Sequence, residues 1–203
     1  MTIRFLIKCT IILTSICLIF TATPASALSN ADMRTTIPEL STFVKLVENG
    51  QANVLRGVYV KDLIALRVVQ QPAGNNTFVS PMRGYLTQFR DATKYGNSGL
   101  LAHNYLEGQI FFQLVPKQKI QLIYGNGEIK TFIITDVQQY QASSPNSPTS
   151  DFINLETKKR FTASQLFTNT YGNGTGKLVL QTCIFANQNP SWGRLFIIAE
   201  PIE

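Results

Sequence analysis

Apolar and polar positions alternate with a period of two over most of the chain, so strands dominate the expected structure. Residues 54–69 are rich in Val, Leu, Ile and Tyr, with Val58 and Val60 two apart and Leu63 following a break. Residues 70–76 contain Pro72, Gly74 and Asn75 and read as a turn-rich loop. Short strands are expected at 77–79 and 85–89, a polar loop at 91–98, a strand at 99–105 and a short apolar one at 109–114. Two β-rich arms, 119–124 and 128–136, flank Gly125-Asn126-Gly127 and predict a hairpin. A Ser/Pro/Asn loop follows at 141–149, then one helical turn at 163–167. The last two strands are expected at 177–184 and 194–199, joined by a loop at 185–193 in which 186–190 forms a flap. Helical spacing occurs near the start, where Leu40, Phe43, Val44 and Val47 recur behind Pro38 and stop at Asn49-Gly50. Many short strands with little helix argue an all-β barrel or sandwich.

The first residues follow a different pattern. Arg4 and Lys8 precede an uncharged, mostly apolar run from Cys9, Pro24 breaks it, and Ala25-Ser26-Ala27 has small residues at both flanking positions. Residues 1–27 thus read as a signal peptide or, uncleaved, as a membrane anchor. Residues 28–52 form a linker and short helix, and 53–203 one β domain. Either leader reading places that domain outside the cytoplasm, secreted or tethered at the cell surface.

Composition narrows the function classes. Removing the leader's two basic residues from the 18 leaves 16 against 12 acidic ones, a mild positive balance. No dense Lys/Arg run with interleaved aromatics occurs, which argues against nucleic acid as a partner. Cys9 and Cys17 lie in the leader, leaving Cys183 alone in the β domain, and His103 is the single histidine. One Cys and one His do not make a metal site, and no cofactor is expected. A lone thiol outside the cytoplasm is buried and inert, paired with another chain, or reactive. The glycine-rich run 171–176 lacks the Gly-Lys-Ser/Thr ending of a phosphate loop and reads as a connection.

Two strand ends then acquire chemical meaning. Leu178-Val179-Leu180-Gln181-Thr182-Cys183 delivers a thiol at the end of an apolar strand, and Gly193-Arg194-Leu195-Phe196 begins another with a guanidinium. Antiparallel pairing of the two brings Cys183 and Arg194 to one edge. A neighbouring cation favours the thiolate, and a guanidinium there can hold an oxyanion during acyl transfer. An imidazole within reach supplies the proton for a leaving amine. A papain-like hydrolase would place Cys before His in the chain, the reverse of the order here.

Leu180-x-Thr182-Cys183, Arg194 eleven residues later and Ala102-His103 about eighty residues upstream resemble the sortases. That resemblance spans roughly 53–203. It implies a closed eight-stranded β-barrel with one or two short helices and a cysteine transpeptidase or endopeptidase activity. Cys183 would form a thioacyl intermediate with a peptide sorting signal of a secreted protein, and Arg194 would hold its oxyanion. His103 would move the proton between the departing and incoming amines. The acceptor would be an amine of a cell-wall precursor or a pilin-like protein. Thr182, Tyr105 and Trp192 are expected to shape the substrate pocket, and residues 136–160 to include the loop that selects the signal. Two other readings stay open: a non-catalytic envelope-binding barrel, and a protease that gives the same intermediate to water.

Overall fold

The structure is a computed structural model that describes residues 36–147 and 149–202; the leader at 1–27 lies outside them. Helix α1, Leu40–Val47, buries Phe43 and Val47. Strands β1 (Leu55–Val60) and β2 (Ile64–Gln70) form a hairpin, and β3 (Tyr85–Gln88) then pairs parallel to β2. A single turn of helix, α2 (Arg90–Thr93), leads into β4 (Ser98–Leu101). Strands β5 (Lys119–Tyr124) and β6 (Ile129–Ala142) are the hairpin expected around Gly125-Asn126-Gly127. Short β7 (Phe152–Asn154) and β8 (Arg160–Phe161) extend the sheet from β6, and α3 (Ala163–Phe167) follows. The chain ends in a long hairpin, β9 (Leu178–Ala186) and β10 (Asn189–Ile202).

Neighbour order closes the sheet. The series β10-β9-β4-β3-β2-β1-β5-β6 returns to β10 through a β6–β10 ladder, giving a closed eight-stranded barrel. That ladder runs from Gly193 opposite Gln141 to Ile202 opposite Thr131, with a bulge at Ile198/Ala199. Side chains fill the interior, as a barrel of this size requires; Val58, Leu86, Leu100, Leu122, Leu180 and Ile197 are all fully buried there. A second apolar cluster lies outside the wall, where Tyr140, Phe152, Val179 and Phe196 meet Leu166 of α3 and Tyr171.

Several expected elements differ: the strand expected at 99–105 ends at Leu101, and α2 occupies the start of the loop expected at 91–98. Residues 77–79 form no strand. Glu107–Gln113, with its apolar centre at Ile110-Phe111-Phe112, is a 3-10 turn that buries Phe111 rather than a strand. The 185–193 segment is not a loop and 186–190 forms no flap: β9 and β10 run on to a two-residue turn at Asn187-Gln188, both with positive φ. Such turns match the twist of a hairpin, and Asn tolerates the left-handed region. The extra residues, Pro190-Ser191-Trp192, form a bulge between Asn189 and Gly193. The selecting-loop range also shifts, because 136–142 belongs to β6. Among the described residues no helix is long and apolar enough to cross a membrane.

Candidate active site

Strand β9 sorts its side chains by alternation across the barrel wall. Leu178, Leu180 and Thr182 face the interior, whereas Val179 and Gln181 belong to the outer face, so Cys183 points outward too. Its thiol is free and half-buried. Arg194 lies directly opposite Cys183 in the β9–β10 ladder and shares its face, since Leu195 is inward and Phe196 outward.

His103 arrives from the other side. Strand β4 runs parallel to β9 with Leu100 beside Leu180 and Leu101 beside Gln181. The pairing continues past the strand end: Ala102 N–H donates to Gln181 O at 3.2 Å, and Thr182 Oγ1 donates to Ala102 O at 2.9 Å, 80 residues apart. The same offset puts His103 level with Cys183. Ala102 packs into the core, so its neighbour His103 faces out. The turn after β4 and the strands β9 and β10 thus place His103, Cys183 and Arg194 at neighbouring register positions on one outer face.

Local bonds hold each group. The His103 carbonyl accepts from the N–H groups of Leu106 and Gly108, both at 3.0 Å, which fixes the turn below the imidazole. Tyr105 stacks on the His103 ring at 4.9 Å and 18° and is itself 60% exposed. Asn104 Nδ2 donates to Pro190 O at 2.9 Å, tying the His103 turn to the β9–β10 bulge. Arg194 Nη1 donates to Ser191 O at 3.1 Å and Gly193 O at 2.8 Å, and its guanidinium lies 5.8 Å from the Phe152 ring centre. None of the three ion pairs among the described residues involves Arg194. Among the described residues, then, no carboxylate pairs with its charge.

The other expected pocket residues fare unevenly. Tyr105 flanks the imidazole and is open to ligand. Trp192 sits half-buried in the hairpin bulge, two residues before Arg194. Thr182 is 1% exposed and faces the barrel interior, where its hydroxyl bonds Ala102 O in the wall next to His103. Alternation explains it: a residue adjacent to an outward Cys183 must point inward.

Sequence reading missed a groove on the outer face that Gln181 and Arg194 share. A cavity of about 130 Å³ lies between the barrel wall and α3, lined by Phe89, Phe152, Phe167, Tyr171, Gln181 and Arg194. Tyr171 is pinned edge-on against Phe89 and Phe196, and its hydroxyl donates to Gln181 Oε1 at 2.9 Å. Gln181, two residues before Cys183, was findable from the period of two alone. Among the described residues no three His, Cys, Asp or Glu side chains converge as metal ligands would.

Burial pushes the Tyr171 phenol well above its ordinary value of 10.0. Above that value the unfolded chain releases a proton the folded one keeps, so stability falls as pH rises. A Tyr171→Phe variant should lose less stability between about pH 10 and 12 than the wild type, read by urea unfolding across that range. Equal pH slopes would show that Tyr171 ionises freely in the fold.

Neither a family model nor a curated protein matches the sequence significantly. Solved structures do resemble it. Sortase A from Corynebacterium diphtheriae superposes with a TM-score of 0.50 at 10% identity, covering 75% of this chain and 62% of that one. Sortase C-1 from Actinomyces oris gives 0.49 at 10% identity over 82% of each chain. Listeria monocytogenes sortase A gives 0.46 at 13% identity over 74% of this chain and 88% of that one. At these identities the likeness is one of architecture, and with its ring of eight strands the chain has the sortase fold.

Proposed function

We propose that the chain is a cysteine transpeptidase of the sortase type acting outside the cytoplasm, with residues 1–27 as export signal or tether. The observation that carries this reading is the register that sets His103, Cys183 and Arg194 on one outer face. Cys183 Sγ attacks a peptide carbonyl of a sorting signal while Arg194 donates to the developing oxyanion. The C–N bond breaks, His103 protonates the departing amine, and the acyl group stays on sulfur as a thioester. An amine of a cell-wall precursor or a pilin-like protein then gives its proton to His103 and attacks the thioester, regenerating the thiol. The groove lined by Gln181, Tyr171 and Phe152 supports the reading, because a retained acyl chain needs a surface to lie on. Tyr105, stacked on His103, and Trp192, in the bulge before Arg194, complete the substrate surface of this reading.

Intact-mass spectrometry tests the proposal. The purified protein is incubated with a thiol-directed methylsulfone and, separately, with a library of short extended peptides. Modification at Cys183 and a peptide-sized acyl adduct, discharged by added amines, is the expected result. A folded protein whose Cys183 stays unmodified would overturn it in favour of a non-catalytic binding barrel. Discharge by water alone would make the chain a protease.

A further inference from the structure

We infer that Gln181 donates a carboxamide N–H to a backbone carbonyl of the acyl peptide, two residues upstream of the carbonyl that Cys183 attacks. The inference rests on the acyl-transfer reading above and names a contact that sets where the peptide lies.

The argument begins with an orientation. A glutamine side chain carries one acceptor and two donors, and solvent-facing glutamines turn freely. Gln181 does not, because Tyr171 holds its Oε1. Tyr171 is 2% exposed and wedged among Phe89, Phe167 and Phe196, so its hydroxyl has little freedom to leave. Burial also keeps that phenol protonated, and hence a donor, across the working pH range. With Oε1 occupied, trigonal geometry sends Nε2 away from Tyr171. No hydrogen bond among the described residues uses Nε2. The side chain lines the cavity that Arg194 also borders. A donor pair fixed at a groove wall is suited to a carbonyl acceptor.

Spacing identifies which carbonyl. Gln181 and Cys183 are alternate residues on one face of β9, so they stand roughly 6.6–6.8 Å apart along the strand. An extended peptide repeats with the same spacing, and its carbonyls two residues apart point to the same side. A peptide lying along β9 with one carbonyl at the Cys183 sulfur therefore brings another level with Gln181. The groove is lined by Gln181 and not by Cys183, so it extends to the Gln181 side of the thiol, which assigns this contact to the acyl portion that stays bound. Main-chain hydrogen bonds of this kind give grip without side-chain preference, a usual division of labour in extended-peptide recognition. Tyr171 acts through Gln181 and is a positioning residue.

Two activated esters test the contact whatever side chains the natural peptide carries. Acetyl-Ala-Ala thiophenyl ester contains the upstream carbonyl, in its acetyl group; acetyl-Ala thiophenyl ester does not. In both, the Cys183 Sγ–C bond forms, the C–S bond to phenyl breaks, and thiophenol leaves with the thiol proton. Intact-mass kinetics give kcat/KM for acylation, and the ratio of the two esters is compared within each variant. The wild type should prefer the longer ester about five- to tenfold, the range of one net hydrogen bond. Gln181→Leu should bring the ratio to about one. Tyr171→Phe, which keeps the ring, should lower the ratio in part, chiefly through KM, because the amide can then turn. A wild-type ratio near one, or one that survives Gln181→Leu, overturns the role of Gln181 alone. Failure of both esters to acylate Cys183 overturns the acyl-transfer reading, and this inference with it.

Discussion

A Cys183→Ala chain should fold as the wild type does and form no acyl adduct, and Arg194→Ala should form the adduct about 10²–10³ times more slowly, the usual loss for one oxyanion donor. The two variants separate bond formation from charge stabilisation. Alanine at 183 removes the lone thiol of the β domain from an outward, half-buried position, where no core contact depends on it. Arg194 is anchored to carbonyls of its own strand, at Ser191 and Gly193, and to the face of Phe152. Its removal breaks no ion pair among the described residues and leaves the β9–β10 ladder intact. Thermal melting should therefore change little while acylation collapses. Arg194→Lys should recover only part of the rate, because a single ammonium replaces a planar fork of donors. Wild-type acylation in Arg194→Ala would show that the oxyanion is held elsewhere.

Gly108→Ala should cost both stability and activity. A Cβ built at Gly108 lies 2.1 Å from Thr182 Oγ1 and 2.7 Å from the His103 carbonyl oxygen. The second neighbour is backbone, so relief by a side-chain rotation is not enough. The shift must pass into the bond from Thr182 to Ala102 O and into the turn that carries His103. Overpacking of this kind costs on the order of 1–3 kcal/mol, lowering Tm by roughly 2–12 °C for a chain of this size. Acylation by a thiophenyl ester should be less affected than acylation by a peptide, whose departing amine must be protonated, because His103 moves while Cys183 and Arg194 stay paired. Unchanged Tm and turnover would mean that the turn yields without moving the imidazole.

The sequence made the strands around the thiol readable, since an apolar run ending in Cys183 and another beginning at Arg194 have few alternatives. The β5–β6 hairpin was readable because Gly125-Asn126-Gly127 supplies the turn chemistry. The tight turn at Asn187-Gln188 was not, because neither residue is glycine and Pro190 nearby suggests a loop. Residues 107–113 misled for a different reason: an apolar triplet satisfies a strand pattern and a buried 3-10 turn equally well. The inward direction of Thr182 follows from alternation and needed only a fixed phase. The Tyr171–Gln181 bond had no local signal, since it depends on how the segment after α3 folds back over the wall.

The parallel offset of 80 residues between the imidazole strand and the thiol strand has a kinetic consequence. A pairing so distant in sequence must overcome a large loop-closure entropy before its contacts repay it, and such topologies fold slowly. Strand β9 cannot join β4 until the long excursion between them is placed, and β10, which shuts the ring, contacts both β9 and β6. The proposed constellation around Cys183 therefore depends on both ladders of β9, and a chain lacking either one does not bring the three groups to one face.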